Sequence, residues 1–403
     1  MIDMRSGGYV FVQARAVLLA TGGGPTMYKY HTPSGDKSCD GLAMALRAGL
    51  PLRDMEMVQF HPTGLLAGTG TRMTGTVLEE GLRGAGGWLL DGQGQRFMER
   101  YDPRAERATR DIVSRSIFRE MRDGRTTPNG GVYLQMKHLG PDNVRRQFKG
   151  MVERCDDCGF DLAGDQVEVV PTAHYMMGGV VFAADTTTPL PALFAAGEDT
   201  GGVHGANRLG GNGVANSTVF GGIAGDVMAD WVRREGTWRA ADDGVIQAAI
   251  TRHEAPFQQP AGDLESVREA LFDCMWHDVG ILRTAESLQR GLQRLAELDA
   301  QLSRTGVAGG DDRAFHLAWH DWINLKNLIA VSRVIALSAL AREDSRGAHF
   351  REDYPDTGDL PTSSYIVVTQ RGDTLDLKRE PVRFTRVAPG QTLLQPDAAG
   401  APA

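Results

Sequence analysis

Residues 15–24, RAVLLATGGG, join a continuous apolar run to three consecutive glycines. An apolar run of this length is typical of a strand that is buried on both faces, as strands of parallel sheets are. Glycine directly after such a strand lets the backbone approach a ligand closely, because no Cβ stands in the way. The sequence therefore predicts a buried parallel strand over 16–20 whose end delivers its backbone to a nucleotide.

Glycine is the residue type that the chain uses most unusually. It supplies 50 of 403 residues, about 12% against a usual value near 7%. The glycines fall in short motifs and not in low-complexity repeats. Such motifs mark places where the backbone passes close to another backbone or to a ligand.

The charge and hydropathy of the chain exclude several classes of partner. A net charge of -8 and a pI of about 5.7 argue against a nucleic-acid-binding protein, which would usually carry a basic face. No apolar run approaches the roughly 18 residues that would cross a membrane, and no signal-peptide pattern is present. We expect no nucleic-acid partner, no direct membrane span and a cytoplasmic location, either free or peripheral on the cytoplasmic side of the inner membrane.

The cysteines predict neither disulfides nor a metal site. Four cysteines in 403 residues do not make a disulfide framework. Cys155 and Cys158 form a single C-x-x-C pair, and zinc would need two more ligands at similar spacing. We therefore expect two free thiols and no bound metal.

Strand, turn and helix patterns divide the chain into segments. The N-terminal part predicts a hairpin around Ser6-Gly7-Gly8, the strand described above and a helix over 42–48. An inserted α/β unit follows, with a helix from about 110 to 121. Strand and glycine character then returns before a helix near 217–231. The remainder is helical, with an apolar stripe over 325–339, and ends in strand-like runs over 365–369 and 382–387.

Four segments combine polar, charged and glycine residues more densely than a core or a plain loop does. They are QFHPTG (59–64), EEGLRGAGG (79–87) with TRDIVSR (109–115), PTAHYMMGG (171–179) and GEDTGGVHGANRLGGNG (197–213). They either assemble into one site or form four separate structural turns.

Basic side chains in these segments suit an anionic ligand. Arg208 stands between an asparagine and two glycines, where its planar guanidinium can face a carboxylate. His61 and His174 lie beside proline and glycine and suit hydrogen-bond donors to an anion. Their spacing matches no metal motif. The alternative is a solvated arginine and two structural histidines.

Charged pairs in the second segment have two interpretations. Arg110 begins a predicted helix with Thr109 as a candidate N-cap. Arg115 lies about 140° further round that helix, so the two arginines cannot face the same place. Either both arginines lie on the surface in ion pairs, or Arg110 alone faces a functional site. Glu80 and Arg83 are i, i+3 neighbours that form either a simple ion pair or a charged relay.

Together these motifs resemble the flavoprotein subunit family of succinate dehydrogenases and fumarate reductases, whose superfamily includes L-aspartate oxidase. The resemblance covers nearly the whole chain, through ARAVLLATGGG, DMEMVQFHPTG, GQRFMERYDP, RDIVSRSI, PTAHYMMGG, HGANRLGGN and SRGAHFREDYP. It implies an α/β fold made of an incomplete Rossmann-like FAD-binding domain, an inserted α/β capping domain and a C-terminal helical domain. The expected boundaries are 1–54 and 171–232 for the FAD-binding domain, 55–170 for the capping domain, 233–350 for the helical domain and 351–403 for a C-terminal extension.

The resemblance also implies the chemistry, which is hydride transfer between a C4 dicarboxylate and N5 of FAD. The residues implied in FAD binding are Thr21, Gly22, Gly23, Asp40, Glu198, Gly213 and Val214. Those implied in substrate binding are His61, Glu79, His174 and Arg208. Arg110 falls on the family's proton donor and acceptor, and Glu80 and Arg83 fall on its proton relay. Arginine is a weak acid, so this role needs neighbouring positive charge and a carboxylate that resupplies the proton.

The sequence departs from the family pattern at two positions of the second segment. Glu79 stands where the family has a substrate-contacting threonine, and Ala85 replaces a glutamate. A carboxylate at position 79 would repel a dicarboxylate unless it turns away or is protonated. Substrate identity is therefore the least constrained inference.

The family's first βαβ unit, with G-x-G-x-x-G and an acidic ribose clamp, has no counterpart in the sequence. We expect the chain to be a fragment or a mis-started reading frame of a longer enzyme. We expect that enzyme to pass electrons to an iron–sulfur subunit. The alternatives are an L-aspartate oxidase-like enzyme, another unsaturated-acid reductase, or an inactive fragment that cannot hold FAD alone.

Overall fold

The computed structural model describes residues 1–35, 37–68, 71, 73–309 and 312–391. The strands within them are β1 (Ile2–Asp3), β2 (Gly8–Tyr9), β3 (Val17–Leu19), β4 (Leu52–Arg53), β5 (Val58–Leu65), β6 (Trp88–Leu90), β7 (Val132–Gln135), β8 (Gln166–Met176), β9 (Gly179–Val180), β10 (Leu193–Ala195), β11 (Ser364–Arg371) and β12 (Thr374–Pro381). The α-helices are α1 (Asp40–Arg47), α2 (Glu80–Gly84), α3 (Arg110–Arg122), α4 (Pro141–Gln147), α5 (Lys149–Asp156), α6 (Asn212–Arg234), α7 (Asp243–Glu254), α8 (Leu264–His277), α9 (Ala285–Ser303) and α10 (Leu317–Ala341).

The first strands of the chain follow the sequence pattern. β1 and β2 form the predicted hairpin, with two residues in each strand. β3 pairs in parallel with β10, with Val17 opposite Leu193, which confirms the predicted parallel strand. Because parallel strands end at the same edge of a sheet, the glycines after β3 lie beside the turn Gly197–Asp199 that follows β10.

A second sheet carries the middle of the chain in the order β5-β8-β7-β6, with all pairs antiparallel. Every residue of β5 is buried. Helix α3 packs on β5 and β8, and its bounds confirm the predicted helix near 110–121. Thr109 occupies the N-cap position, but its side chain makes no capping hydrogen bond.

A third sheet, β12-β11-β4-β9, joins the two ends of the chain. β4 lies between β11 and β9, with Leu52 opposite Val368 and Val180. The sequence placed the last strand at 382–387, and this is wrong because β12 begins at Thr374. A tight turn at Gly372 closes the hairpin so early that Arg371 already pairs with Thr374.

The C-terminal helices form the largest part of the core with α1. α10 packs against α1, α8 and α9 and buries 13 of its 25 residues. Its length and mean hydropathy would suffice to cross a membrane, although no helix of this kind was expected from the sequence. Its burial against three helices identifies it as a core helix, as the apolar stripe predicted.

The mixed α/β fold with a helical C-terminal region confirms the predicted fold class. Helix α6 starts at Asn212, five residues before the predicted start, because Gly211 at φ 80° supplies a left-handed N-cap residue. The five segment boundaries stay a prediction, and residues 392–403 of the last segment lie outside the described residues.

The four cysteines carry free thiols and are spread over the fold. Cys39 precedes α1, Cys155 lies in α5 and Cys274 lies in α8, and all three are buried. Cys158 is partly exposed. Within the described residues, no group of three or more histidine, cysteine or acidic side chains could hold a metal ion.

Candidate active site

Arg110, the first residue of α3, is held by two acceptors. Its Nε and Nη2 donate to Oε2 of Glu80 at 3.0 and 2.8 Å, and its Nη1 donates to Oε1 of Gln59 at 3.3 Å. The side chain is only 11% exposed. Since Gln59 lies on the buried strand β5, the guanidinium is fixed between α2 and the second sheet.

Glu80 connects Arg110 to a second buried arginine. Arg83 Nη2 donates to the other carboxylate oxygen of Glu80 at 3.2 Å, and Arg83 Nη1 donates to the carbonyl of Glu106 at 2.7 Å. Burial raises the pKa of Glu80, but hydrogen bonds and positive charge from Arg110 and Arg83 outweigh it, and the net shift is downward. Burial also lowers the pKa of Arg83. The three side chains form one continuous hydrogen-bonded chain.

Arg208 is a buried guanidinium with spare donors. It is 6% exposed, lies 4.4 Å above the ring of Tyr175 and donates from Nη1 to the carbonyl of Leu209 at 3.2 Å. Its Nε is buried and has no partner within the described residues. Burial and the charge of Arg110 lower the pKa of Arg208. The geometry leaves this side chain short of a negatively charged partner.

His61 and His174 lie side by side, with ring centroids 5.6 Å apart. The backbone N–H of Thr63 donates to Nδ1 of His61, so the ring proton of neutral His61 is on Nε2. Thr32 Oγ1 lies 2.8 Å from Nδ1 of His174. Burial and the charges of Arg208 and Arg110 lower the pKa of His174 to about 4. Burial and the charge of Arg110 lower the pKa of His61 well below its usual value. Both imidazoles are therefore neutral near pH 7.

One cavity of about 470 Å³ brings together side chains from distant parts of the sequence. Six predicted site residues line it, and they are Arg110, His174, Glu198, Arg208, Gly213 and Val214. The cavity also has four lining residues that the sequence did not single out, namely Tyr175, Gly211, Ser217 and Thr218. The geometry therefore matches one assembled site and not four separate turns, while the role of each residue stays a prediction.

The remaining predicted residues surround this cavity at different distances. His61 touches His174, and Glu80 and Arg83 extend behind Arg110. Glu79 is the exposed N-cap residue of α2 and is not among the residues that line the cavity. An exposed carboxylate outside the cavity lining is compatible with one of the two conditions that the sequence left open, namely that Glu79 turns away from the substrate.

The loop after β3 packs closely against the turn that follows β10, and its role in nucleotide binding stays a prediction. A Cβ built on Gly23 would come within 2.5 Å of Oε1 of Glu198, and one on Gly41 would clash with Oγ1 of Thr21. Glycine at position 23 therefore lets the backbone pass close to the carboxylate of Glu198, and glycine at position 41 lets it pass close to Thr21 and Asp199. The carboxylate of Glu198 accepts a hydrogen bond from the backbone N–H of Met176 at 2.9 Å.

A buried aspartate missed in the sequence organises the same loop. Asp199 accepts hydrogen bonds from Thr21 Oγ1 at 2.9 Å and from the backbone N–H of Gly22 at 3.0 Å. Burial raises its pKa to about 6, although these bonds act in the opposite direction. Asp40 lies close enough for its charge to raise this pKa as well, and its Oδ1 accepts from Nδ2 of Asn327 at 2.5 Å. The acidic residue beside Glu198 in GEDTGG was the available signal for Asp199.

The N-terminus of α6 opens on the cavity through Gly211, Gly213 and Val214. The first N–H groups of a helix lack intrahelical acceptors, and the helix dipole is positive there, so this end favours an anion. A Cβ on Gly213 would lie 2.9 Å from the ring of Tyr175. Glycine at this position therefore keeps the helix end close to the guanidinium of Arg208.

Polar residues that the sequence analysis missed join the two halves of the cavity. Gln59 donates from Nε2 to the carbonyl of Arg208 at 2.7 Å while it accepts from Arg110. Asn207 donates to Oδ1 of Asp111 at 2.9 Å. Polar side chains inside the otherwise apolar strand β5 and beside Arg208 and Arg110 were the signals that could have identified them.

Two family profiles match the chain. A profile described as an FAD binding domain matches residues 1–214, and one described as the fumarate reductase flavoprotein C-terminus matches residues 268–394. Together they cover most of the chain, and the first one covers the loop after β3 and the segment that holds Arg208.

Curated proteins with similar sequences have related names. One subunit of the fumarate reductase (CoM/CoB) of Methanothermobacter marburgensis is 39% identical over 86% of the chain. The fumarate reductase flavoprotein subunit of Mycobacterium tuberculosis strain H37Rv is 34% identical over 97% of the chain and 70% of its own length. The chain spans 62% of the length of the Methanothermobacter protein.

Solved structures show the same fold. A quinol–fumarate reductase with menaquinol molecules has a TM-score of 0.88 and 33% identity, over 96% of this chain and 70% of that one. Sdh1 of Mycobacterium smegmatis in complex with UQ1 has a TM-score of 0.83 and 36% identity, over 95% of this chain and 64% of that one.

Proposed function

Because the chain belongs to the FAD-dependent flavoprotein family of succinate dehydrogenases and fumarate reductases, we propose that it interconverts a C4 dicarboxylate and its unsaturated form. The observation that carries the proposal is the cavity that Arg110, His174 and Arg208 line together with Glu198 and Gly213. These residues come from three separate segments, and a structural role alone would not require them to face one space.

We infer that the cationic side of the cavity binds the two carboxylates. Arg208 has an unsatisfied buried Nε, and the neutral ring of His61 offers its Nε2–H as a donor. The N-terminus of α6 adds fixed positive dipoles. Preorganised donors of this kind stabilise negative charge better than water does, because they need no reorientation during the reaction.

FAD, when bound, would supply the hydride chemistry. Glu198 and the glycines of the loop after β3 would hold it at the cavity, as their close backbone approach indicates. Tyr175 lines the cavity, and its Oη lies 3.2 Å from Nε2 of His204.

Arg110 would donate a proton to the second substrate carbon when the unsaturated acid is reduced, and accept one in the opposite direction. Its Nη2 and Nε are bonded to Glu80, so Glu80 would return the proton to Arg110. Arg83 would restore the proton of Glu80, because Arg83 Nη2 bonds to the second carboxylate oxygen. The three side chains therefore form an unbroken hydrogen-bonded path along which the proton of Arg110 would be replaced.

The test is turnover by the purified chain supplied with FAD, with fumarate, succinate and L-aspartate as substrates. We expect the first two to react and Arg110→Gln to lower kcat by about 10²- to 10⁴-fold, the usual contribution of a positioned acid. Arg119→Gln is the matched control, because Arg119 lies on the same helix and stacks on Phe350. Full activity in Arg110→Gln would overturn the mechanism, and turnover of aspartate alone would favour an oxidase.

We also propose that the electrons pass to an iron–sulfur subunit and that the protein works in the cytoplasm or on the cytoplasmic face of the inner membrane. The names of several relatives describe them as subunits of larger enzymes. Affinity purification of the tagged chain from its own cells should recover iron and acid-labile sulfide in proportion to the chain. Recovery of the chain without iron and without sulfide would contradict the proposed iron–sulfur partner.

A further inference from the structure

A second cavity, of about 300 Å³, lies between the C-terminal helices and the hairpin β11–β12, outside the candidate active site. Its floor is one face of α10, where Ile323, Lys326, Ala330 and Arg333 follow one another at spacings of three or four residues. Its walls come from the ends of α1 and α7, from α9 and from the hairpin. No residue of the proposed catalytic machinery lines it.

The charges around this cavity are mainly positive. Four cationic side chains line it, namely Arg47, Arg252, Lys326 and Arg333, against two carboxylates, Asp299 and Asp373. This excess of two positive charges occurs in a chain whose net charge is -8. A local field opposite in sign to that of the whole molecule concentrates anions at this surface.

Among the described residues, three of the four cations have no carboxylate partner. Lys326 bonds to Asp299 at 2.5 Å, but no ion pair of Arg47, Arg252 or Arg333 occurs within the described part of the chain. Arg47 is partly buried, and its Nη1 donates to Oδ1 of Asn327 at 2.8 Å. Because Nδ2 of the same amide donates to Asp40, Asn327 is fixed and holds the guanidinium of Arg47 in place.

Arg47 and Arg252 are close enough to repel each other. Burial and the positive charge of Arg252 lower the pKa of Arg47, although Asp40 acts in the opposite direction. Burial, Arg252 and Arg47 likewise lower the pKa of His253, which also lines the cavity. Arg47, Arg252 and His253 each lie in the last turn of a helix, where the negative end of the helix dipole favours a positive charge. No helix dipole explains the position of the positive charge of Arg333, because this residue lies within α10 and not at its end.

The cavity also has an apolar side. Leu46, Trp322, Ile323 and Leu375 line it, and the indole N–H of Trp322 is already used by the carbonyls of Leu302 and Thr305. A few converging charged groups on a mainly apolar wall are typical of a small-molecule site, and 300 Å³ lies at the lower end of the usual size range.

We propose that this cavity binds a small organic anion, which carries one phosphate or carboxylate group on an apolar ring or chain. The oxyanion would lie between Arg47, Arg252 and Arg333, and the apolar part would pack on Trp322 and Ile323. Guanidinium groups suit this role because their planar N–H pairs match the geometry of an oxyanion.

The probe for this site is phenyl phosphate, titrated by calorimetry into the 403-residue chain. We expect binding that weakens as ionic strength rises, because the attraction is electrostatic. Arg333→Gln and Arg252→Gln should each raise Kd by about tenfold to a hundredfold, the usual cost of losing one charged hydrogen bond. Arg304→Gln, an exposed arginine at the end of α9, is the matched control and should keep the wild-type Kd.

Two further titrations separate this site from its alternatives. Arg208→Gln should bind phenyl phosphate as the wild type does, and loss of binding there would assign the ligand to the active-site cavity and overturn the proposal. Inorganic phosphate should bind more weakly than phenyl phosphate, since it cannot use the apolar wall. Equal affinity for both ions, or an unchanged Kd in both Arg333→Gln and Arg252→Gln, would also overturn it. Thermal unfolding of each variant checks that it is folded.

Discussion

His174 combines deep burial with two neighbouring positive charges. Burial, Arg208 and Arg110 bring its pKa to about 4, against about 6.5 in an unfolded chain. Below pH 6.5 the unfolded state therefore binds a proton that the folded state refuses until the pH approaches 4. The stability contributed by this group is complete above pH 6.5 and is lost as the pH falls toward 4.

The consequence is a pH-dependent stability that one substitution should reduce. Between pH 7 and pH 4 the free energy of unfolding of His174→Gln should fall by about 3 kcal/mol less than that of the wild type, since each pKa unit corresponds to about 1.4 kcal/mol. Urea unfolding at several pH values measures this difference. His277→Gln, an exposed histidine at the end of α8, should follow the wild type. If the free energy of unfolding of His174→Gln fell with pH as much as that of the wild type, the imidazole of His174 would not be held neutral.

Residue roles were only partly readable from the sequence. Arg208 and Arg110 could be identified because each stands in a short motif of small and polar residues. Gln59 and Asp199 were noticeable only as polar residues in these motifs, and their roles were not readable because they come from hydrogen bonds to residues 149 and 178 positions away. Contacts at such separation depend on how sheets and loops pack, and no local pattern encodes them.

The hairpin β11–β12 shows how one backbone angle sets the register of an element. Gly372 has a φ of 58° in the turn, and no atom outside the neighbouring residues lies within 4 Å of a Cβ placed there. A side chain would therefore be strained by its backbone alone and would not clash. The sequence missed this turn and assigned the following strand to residues 382–387.

Gly372→Ala should lower the free energy of unfolding by about 1–2 kcal/mol, the cost of a left-handed residue with a Cβ. Gly150→Ala is the matched control, because Gly150 lies in helix α5 and also has open space around its Cα. That change should stabilise the protein by up to about 1 kcal/mol, since alanine favours helix. Chemical denaturation compares the two, and a stabilising effect of Gly372→Ala would refute the assigned turn.

At the scale of the whole molecule, a buried ion cluster joins the second sheet, the third sheet and the helices. Arg342, which follows α10, donates from Nε to Glu56 at 2.5 Å and from Nη2 to Asp54 at 3.2 Å and to the carbonyl of Ser364 at 3.1 Å. Glu56 is fully buried. The cluster links segments that lie almost 290 residues apart.

Arg342→Met should cost about 3–5 kcal/mol, because it leaves two buried carboxylates without their partner. Arg290→Met, whose side chain is half exposed beside Asp278, should cost at most about 1 kcal/mol. Urea unfolding followed by circular dichroism gives both values. Similar small losses in the two variants would mean that Arg342 does not hold the parts of the fold together.

The fold class was predictable from patterns that lie within single elements. The apolar run before ATGGG gave β3, and the helical stripe gave α10. The strand order β12-β11-β4-β9 could not be predicted, because the two-residue strands β4 and β9 are too short to show an alternating apolar pattern. The convergence of four segments on one cavity was an expectation that only tertiary packing could test.

The rates at which the buried thiols react with an alkylating reagent report local unfolding of this protein. Cys39 precedes α1, Cys155 lies in α5 and Cys274 lies in α8, so three separate segments of the chain each contain a cysteine buried from solvent. An alkylating reagent reaches such a sulfur only when its segment transiently unfolds. Peptide mass spectrometry of a labelling time course would therefore order the three segments by local stability, without any engineered probe.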